Sequence, residues 1–133
     1  MSELSYGYEK TLENETFDGA VRKVTEALGT EGFGVLTEID VRQTLRKKLD
    51  VDFRRYVIFG ACNPILARQA LEVEPQIGLL LPCNVVVQEA PGGGVTVSIA
   101  DPRVLFKLVG NAALEAVVEE AETRLSRVIE ALD

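Results

Sequence analysis

At 133 residues, 47% apolar and 26% charged, the chain has the make-up of a single soluble globular domain spanning 1–133, able to bury roughly two-thirds of its unfolded surface without a disulfide or a metal. A net charge of −7 opposes general nucleic-acid binding, and the absence of histidine removes the usual general base and the commonest metal ligand. No apolar run approaches the roughly 20 residues of a membrane span and no opening segment has the form of a secretory signal, so the expected setting is cytoplasmic, where the two cysteines stay reduced.

Residues 5–12, SYGYEKTL, alternate tyrosines and predict a strand. Phe17, Ala20, Val21, Val24, Ala27 and Leu28 then form one helical stripe, with Thr16 as the N-cap and Gly29 and Gly32 at the exit. GFGVLTEID alternates and predicts a half-buried strand over about 33–39. Asp40 caps a short helix whose Val41, Leu45 and Leu49 share a face. Residues 54–61, RRYVIFGA, predict a third strand. Asn63-Pro64 is a strong helix start, because asparagine caps well and proline suits the first helical position. That helix stops before Pro75.

Residues 85–89 and 95–99 flank PGGG and predict a hairpin with a loop longer than the minimal two residues. The stretch VLFKLVG after Asp101-Pro102 has no clear period. A long helix closes the chain from about Asn111, with Leu114, Val117, Val118, Ala121, Leu125, Val128, Ile129 and Leu132 on one face. Strands with a hairpin, faced by amphipathic helices, imply a two-layer α+β domain with an antiparallel sheet covered on one side. The expected order is β-α-β-β-β-β-α with short inserted helices.

Taken in order, the motifs YGYEKTL, GFGVLTEIDV, FGACNPILARQAL and PQIGLLLPCNVVVQE with its glycine turn resemble a small prokaryotic family known as domain of unknown function number 302. The resemblance runs over about 5–132. It implies a curved antiparallel sheet backed by helices, like that of the TATA-binding protein, and a homodimer. It implies no reaction. Relatives with Asn-Pro but no preceding cysteine weigh against Cys62 being essential to a shared activity.

Three candidate sites stand out. Cys62 precedes the capped start of a helix, where free N–H groups and the helix dipole favour a thiolate, and Cys83 opens another strand within potential reach. The plainer reading is two buried small hydrophobes. With no histidine, two cysteines cannot make the usual tetrahedral metal set, so neither a metal nor a cofactor is expected. The second candidate is an anion site. Arg42, Arg46, Lys47, Lys48, Arg54 and Arg55 against Asp50 and Asp52 give a local +4, which together with the amides after Asn63 suits a phosphate or carboxylate; a solvated helix face is the plainer reading. Third, Gly78–Pro82 with Val104–Phe106 suggest an apolar pocket or, more plainly, core.

No Ser-His-Asp or Cys-His constellation is possible. The sequence therefore reads as a non-enzymatic domain that binds a small or anionic ligand or a protein partner as a homodimer. The residues named for ligand contact are Cys62, Asn63, Cys83 and Arg55. One alternative is a thiol-dependent redox enzyme or sulfur carrier with Cys62 as nucleophile and Cys83 in support; another is a purely structural dimer.

Overall fold

Three helix starts follow from polar side chains that take up free backbone N–H groups. Thr16 accepts from Gly19 N at 3.0 Å, Asp40 from Gln43 N at 2.9 Å, and Asn63 from Ile65 and Leu66 N at 3.2 Å each. The computed structural model describes residues 2–132, in the order β1 (Ser2–Leu4), β2 (Gly7–Leu12), α1 (Phe17–Thr30), β3 (Gly34–Asp40), α2 (Val41–Leu49), β4 (Tyr56–Cys62), α3 (Pro64–Val73), β5 (Cys83–Glu89), β6 (Val95–Ala100), α4 (Pro102–Lys107) and α5 (Glu115–Glu130). Short 3-10 helices lie at Pro75–Leu80 and Ala112–Leu114.

The six strands make one sheet in the order β1-β2-β6-β5-β4-β3, antiparallel throughout. Its register explains its two faces. Phe59, Val85, Ile99 and Tyr8 form one row across β4, β5, β6 and β2, all buried beneath helices. Helices α1 and α5 cover this side, burying Val24, Leu28, Leu125 and Ile129. Because side chains alternate along a strand, the next row falls on the open face: Ile39, Ile58, Val86, Ser98 and Glu9. That row is apolar at its β3 end and polar at its β2 end. The expected two-layer α+β architecture is therefore present, and a second cluster of Ala70, Ile77, Phe106, Leu114, Val117 and Val118 joins α3 and α4 to α5.

Several local expectations need correction. The first predicted strand, 5–12, starts two residues early: residues 5 and 6 form a turn at which Tyr6 is exposed, β2 covers the rest, and β1 before the turn adds an edge strand to the expected order. The strand at 33–39 is not half-buried: all seven residues of β3 are exposed, because it is the outer edge of a sheet whose helices lie over the inner strands. VLFKLVG contributes most of α4, which Asp101 caps through Arg103 N at 2.9 Å. The closing helix starts at Glu115, after a 3-10 turn capped by Asn111. The hairpin loop closes through Ala90 N to Gly94 O at 3.0 Å, with Gly92, Gly93 and Gly94 all at positive φ, which a residue with a Cβ rarely adopts.

Candidate functional site

Strand β4 passes into α3 through Asn63, and this corner organises everything around the two thiols. Asn63 is only 7% exposed. Its Oδ1 accepts from Ile65 and Leu66, while its Nδ2 donates to the Glu31 carbonyl at 3.4 Å. Arg124 Nη1 donates to the same carbonyl at 2.9 Å, so α5, the end of α1 and the start of α3 meet at one oxygen. Gly32 makes this possible: its φ is 84°, and a Cβ there would lie 2.9 Å from Asn63 Nδ2.

Cys83 stands opposite Ala61 in the register of β4 and β5, so Cys62 is one residue further along the neighbouring strand. Both thiols are free and line one slot with Phe33, Leu66, Phe106 and Ala121. The slot is apolar and measures about 30 Å³, room for about one water molecule. Burial pushes the Cys62 thiol above its ordinary value. Burial, and then the neighbouring Cys62, push Cys83 up to about 11. Burial thus favours the protonated form of both thiols, and the surroundings of Cys62 give no support to the thiolate expected there.

The corner thus brings together Cys62, Asn63 and Cys83. Arg55 is not among them: it lies seven residues before Cys62, about 20 Å along the extended chain. Its guanidinium sits 4.1 Å over the Phe17 ring and donates to Asp18 Oδ1 at 3.1 Å. Elsewhere in the basic segment Arg46 pairs with Asp50 and Asp52, and Arg54 donates to Gln88 and lies over Phe53 and Tyr56. The amides after Asn63 are already taken, so the two halves of the expected anion site do not converge. Leu80, Leu81 and Leu105 pack against the second cluster as core, while Leu79 is 83% exposed.

A second polar centre escapes sequence reasoning. Asp101, 5% exposed, accepts from Arg103 Nε at 3.1 Å and from Arg103 Nη2 at 2.8 Å. The same Nη2 donates to Tyr8 Oη at 2.7 Å, and Tyr8 donates in turn to Glu122 Oε2 at 3.1 Å. Burial opposes ionisation of Asp101, but the Arg103 hydrogen bonds override it and hold the carboxyl below its usual range. Burial first, then the charges of Asp101 and Glu122, push the Tyr8 phenol far up. The only local signal was Asp101-Pro102, which repeats the cap-then-proline pattern of Asn63-Pro64.

Among the described residues no three histidine, cysteine, aspartate or glutamate side chains gather as a metal site, and no helix is long and apolar enough to cross a membrane. No curated protein matches the chain. A solved structure described as an uncharacterized conserved protein DUF302 from Bacillus stearothermophilus is similar to it, at 27% identity with a TM-score of 0.88, covering 98% of this chain and 100% of that one. The family model for domain of unknown function DUF302 matches residues 8–132, so nearly every element described above, from the β2 strand to the end of α5, lies within the match. The chain belongs to the DUF302 family.

Proposed function

We propose that the protein is a homodimeric binding domain, not an enzyme, and that its two copies join through β3 and α2. The observation that carries this reading is the exposure of residues 34–49. Every residue of β3 is exposed, and α2 buries none of its nine. A nine-residue helix is marginal in water and ordinarily persists because its apolar face is covered. An uncovered edge strand offers a row of free N–H and C=O groups to another chain.

A second copy of the chain is the occupant that fits. Val35, Leu36, Ile39, Leu49 and Val51 are large apolar residues 39–66% exposed, and Ile39 continues into Ile58 and Val86 on the open sheet face. The surrounding charges are mixed, with Glu38, Asp40, Asp50 and Asp52 beside Arg42, Lys47 and Lys48. An isologous contact needs such a self-complementary patch. A stable interface takes about 800 Å² from each partner, roughly a tenth of the 7813 Å² surface here.

The thiol reading is the weaker one, since burial disfavours the thiolate at both cysteines and the slot between them has room for about one water molecule. Sedimentation equilibrium tests the dimer. The expected mass is twice 14.5 kDa, falling to the monomer in Ile39→Asp/Leu49→Asp with an unchanged circular dichroism spectrum. A wild-type monomer at about 100 μM, far above the dissociation constant of a standard interface, would overturn it.

A further inference from the structure

Strand β3 is irregular at one end and regular at the other. Its pairing with β4 shifts by one residue between Val35 and Thr37, which leaves Leu36 as an extra residue and 37–40 as the regular part. Which backbone groups of that part stay open follows from the neighbouring strands. Glu89 N donates to Arg55 O at 3.0 Å, so these two form a hydrogen-bonded pair, and by alternation so do Val57–Val87 and Phe59–Val85. The backbone groups of Ile58 and Gly60 therefore turn the other way, toward their partners Ile39 and Thr37. The outer edge is left with the N–H and C=O groups of Glu38 and Asp40.

Asp40 is half used, because its carbonyl accepts from Thr44 Oγ1 at 2.8 Å where α2 begins. Within 37–40, Glu38 alone keeps both groups open. Such a residue can pair with its own copy, each N–H donating to the other's C=O across a two-fold axis.

We propose that the two copies pair β3 with β3, antiparallel, about an axis between the two Glu38 residues. This rests on the dimer proposed above and adds its register. Thr37 then stands opposite the partner's Ile39, and the open-face rows of Ile39, Ile58 and Val86 from the two copies run side by side across the axis. Neighbouring registers are poorer. Centring on Thr37 sets Glu38 against the irregular Leu36, and centring on Ile39 sets the Glu38 N–H against the occupied Asp40 carbonyl. In the favoured register the two Glu38 carboxylates face each other. Like charges directly opposite weaken a strand pair, so Glu38→Gln should tighten the dimer by about two- to fivefold.

The test is disulfide trapping of the full chain with oxidised glutathione, with sedimentation equilibrium of wild type and of each variant before oxidation. Opposed residues lie about 5.5 Å apart between Cα atoms in a hydrogen-bonded pair and about 4.5 Å in the next, both within disulfide reach. Glu38→Cys should therefore give a species of twice 14.5 kDa that reductant removes. Thr37→Cys and Ile39→Cys should each give none alone, standing about 8 Å from their own copies, but should cross-link when mixed. Wild type, carrying Cys62 and Cys83, is the control. Faster trapping of Thr37→Cys or Ile39→Cys alone than of Glu38→Cys would overturn the register. So would a dimer by sedimentation that traps at none of the three positions, or a Glu38→Gln dimer weaker than wild type. A wild-type monomer would instead overturn the dimer itself, which separates the two failures.

Discussion

The guanidinium of Arg103 donates a 2.7 Å hydrogen bond to the phenolic oxygen of Tyr8, joining the start of α4 to β2 across 95 residues of sequence. Tyr8 in turn donates to Glu122 on α5, so one hydroxyl links three elements. Tyr8 is 4% exposed, so water has little access to replace these partners.

Tyr8→Phe removes that oxygen and leaves Glu122 without its donor. The expected cost is about 1.5–3 kcal/mol, the range for a hydrogen bond with a charged partner. Urea unfolding should show a lower midpoint with an unchanged slope. An unchanged midpoint would mean that the network contributes nothing net. The wild-type Tyr8 phenol should also stay protonated well beyond the ordinary tyrosine range, which ultraviolet titration against the Phe variant reads directly.

Asp101 supplies a pH dependence of definite sign. Its folded-state pKa lies below its unfolded value because Arg103 holds the carboxylate. The unfolded chain therefore takes up a proton first as acid is added. Stability from this group is fully present above the unfolded value near pH 4 and is lost as pH falls through the folded one. In Asp101→Asn the acid limb of stability against pH should be shallower than in wild type. Identical limbs would show that other carboxylates govern acid unfolding.

Much of this architecture is readable from periodicity. The stripes of α1 and α5 name Phe17, Ala20, Val24, Leu28, Leu114, Leu125, Val128 and Ile129, and all are buried. Caps at Thr16, Asp40 and Asn63 are readable because their chemistry is local to one turn. β3 is misread as half-buried because alternation records which side chains are apolar, while burial depends on where the strand stands in the sheet. At the candidate site, the capped corner at Cys62–Asn63 and the strand start at Cys83 are legible separately; that they adjoin is not, since it depends on the register of β4 and β5. The Tyr8–Arg103 link is not, since no local pattern relates residues that far apart. The ionisation state of Cys62 is also illegible, because it depends on what fills the slot.

The thiols should react slowly and in a fixed order. Cys83 is pushed to about 11 and Cys62 is raised by burial, so a thiol reagent at pH 7 meets little thiolate at either. Intact-mass spectrometry should show Cys62 labelled first, Cys83 only later, and both rates rising through pH 9–10 as the thiolate fraction grows. Labelling of Cys62 at neutral pH as fast as a free cysteine would restore the activated thiol that the sequence suggests.

Asn63 decides between two accounts of that thiol. Asn63→Ala removes the acceptor for Ile65 and Leu66, at an expected cost of about 1–2 kcal/mol for a lost cap. Asn63→Asp keeps the acceptor at the helix start but replaces the donor to Glu31 with a charged oxygen, so its midpoint should lie between wild type and Ala if the cap dominates. If the donor to Glu31 were the dominant contribution, Asp would be as damaging as Ala, which the same urea titration would reveal. The Ala variant also frees first-turn N–H groups beside Cys62. If their capture by Asn63 keeps the thiol neutral, Cys62 should label faster in Asn63→Ala than in wild type at the same pH. Equal rates would assign the raised pKa to the apolar slot alone.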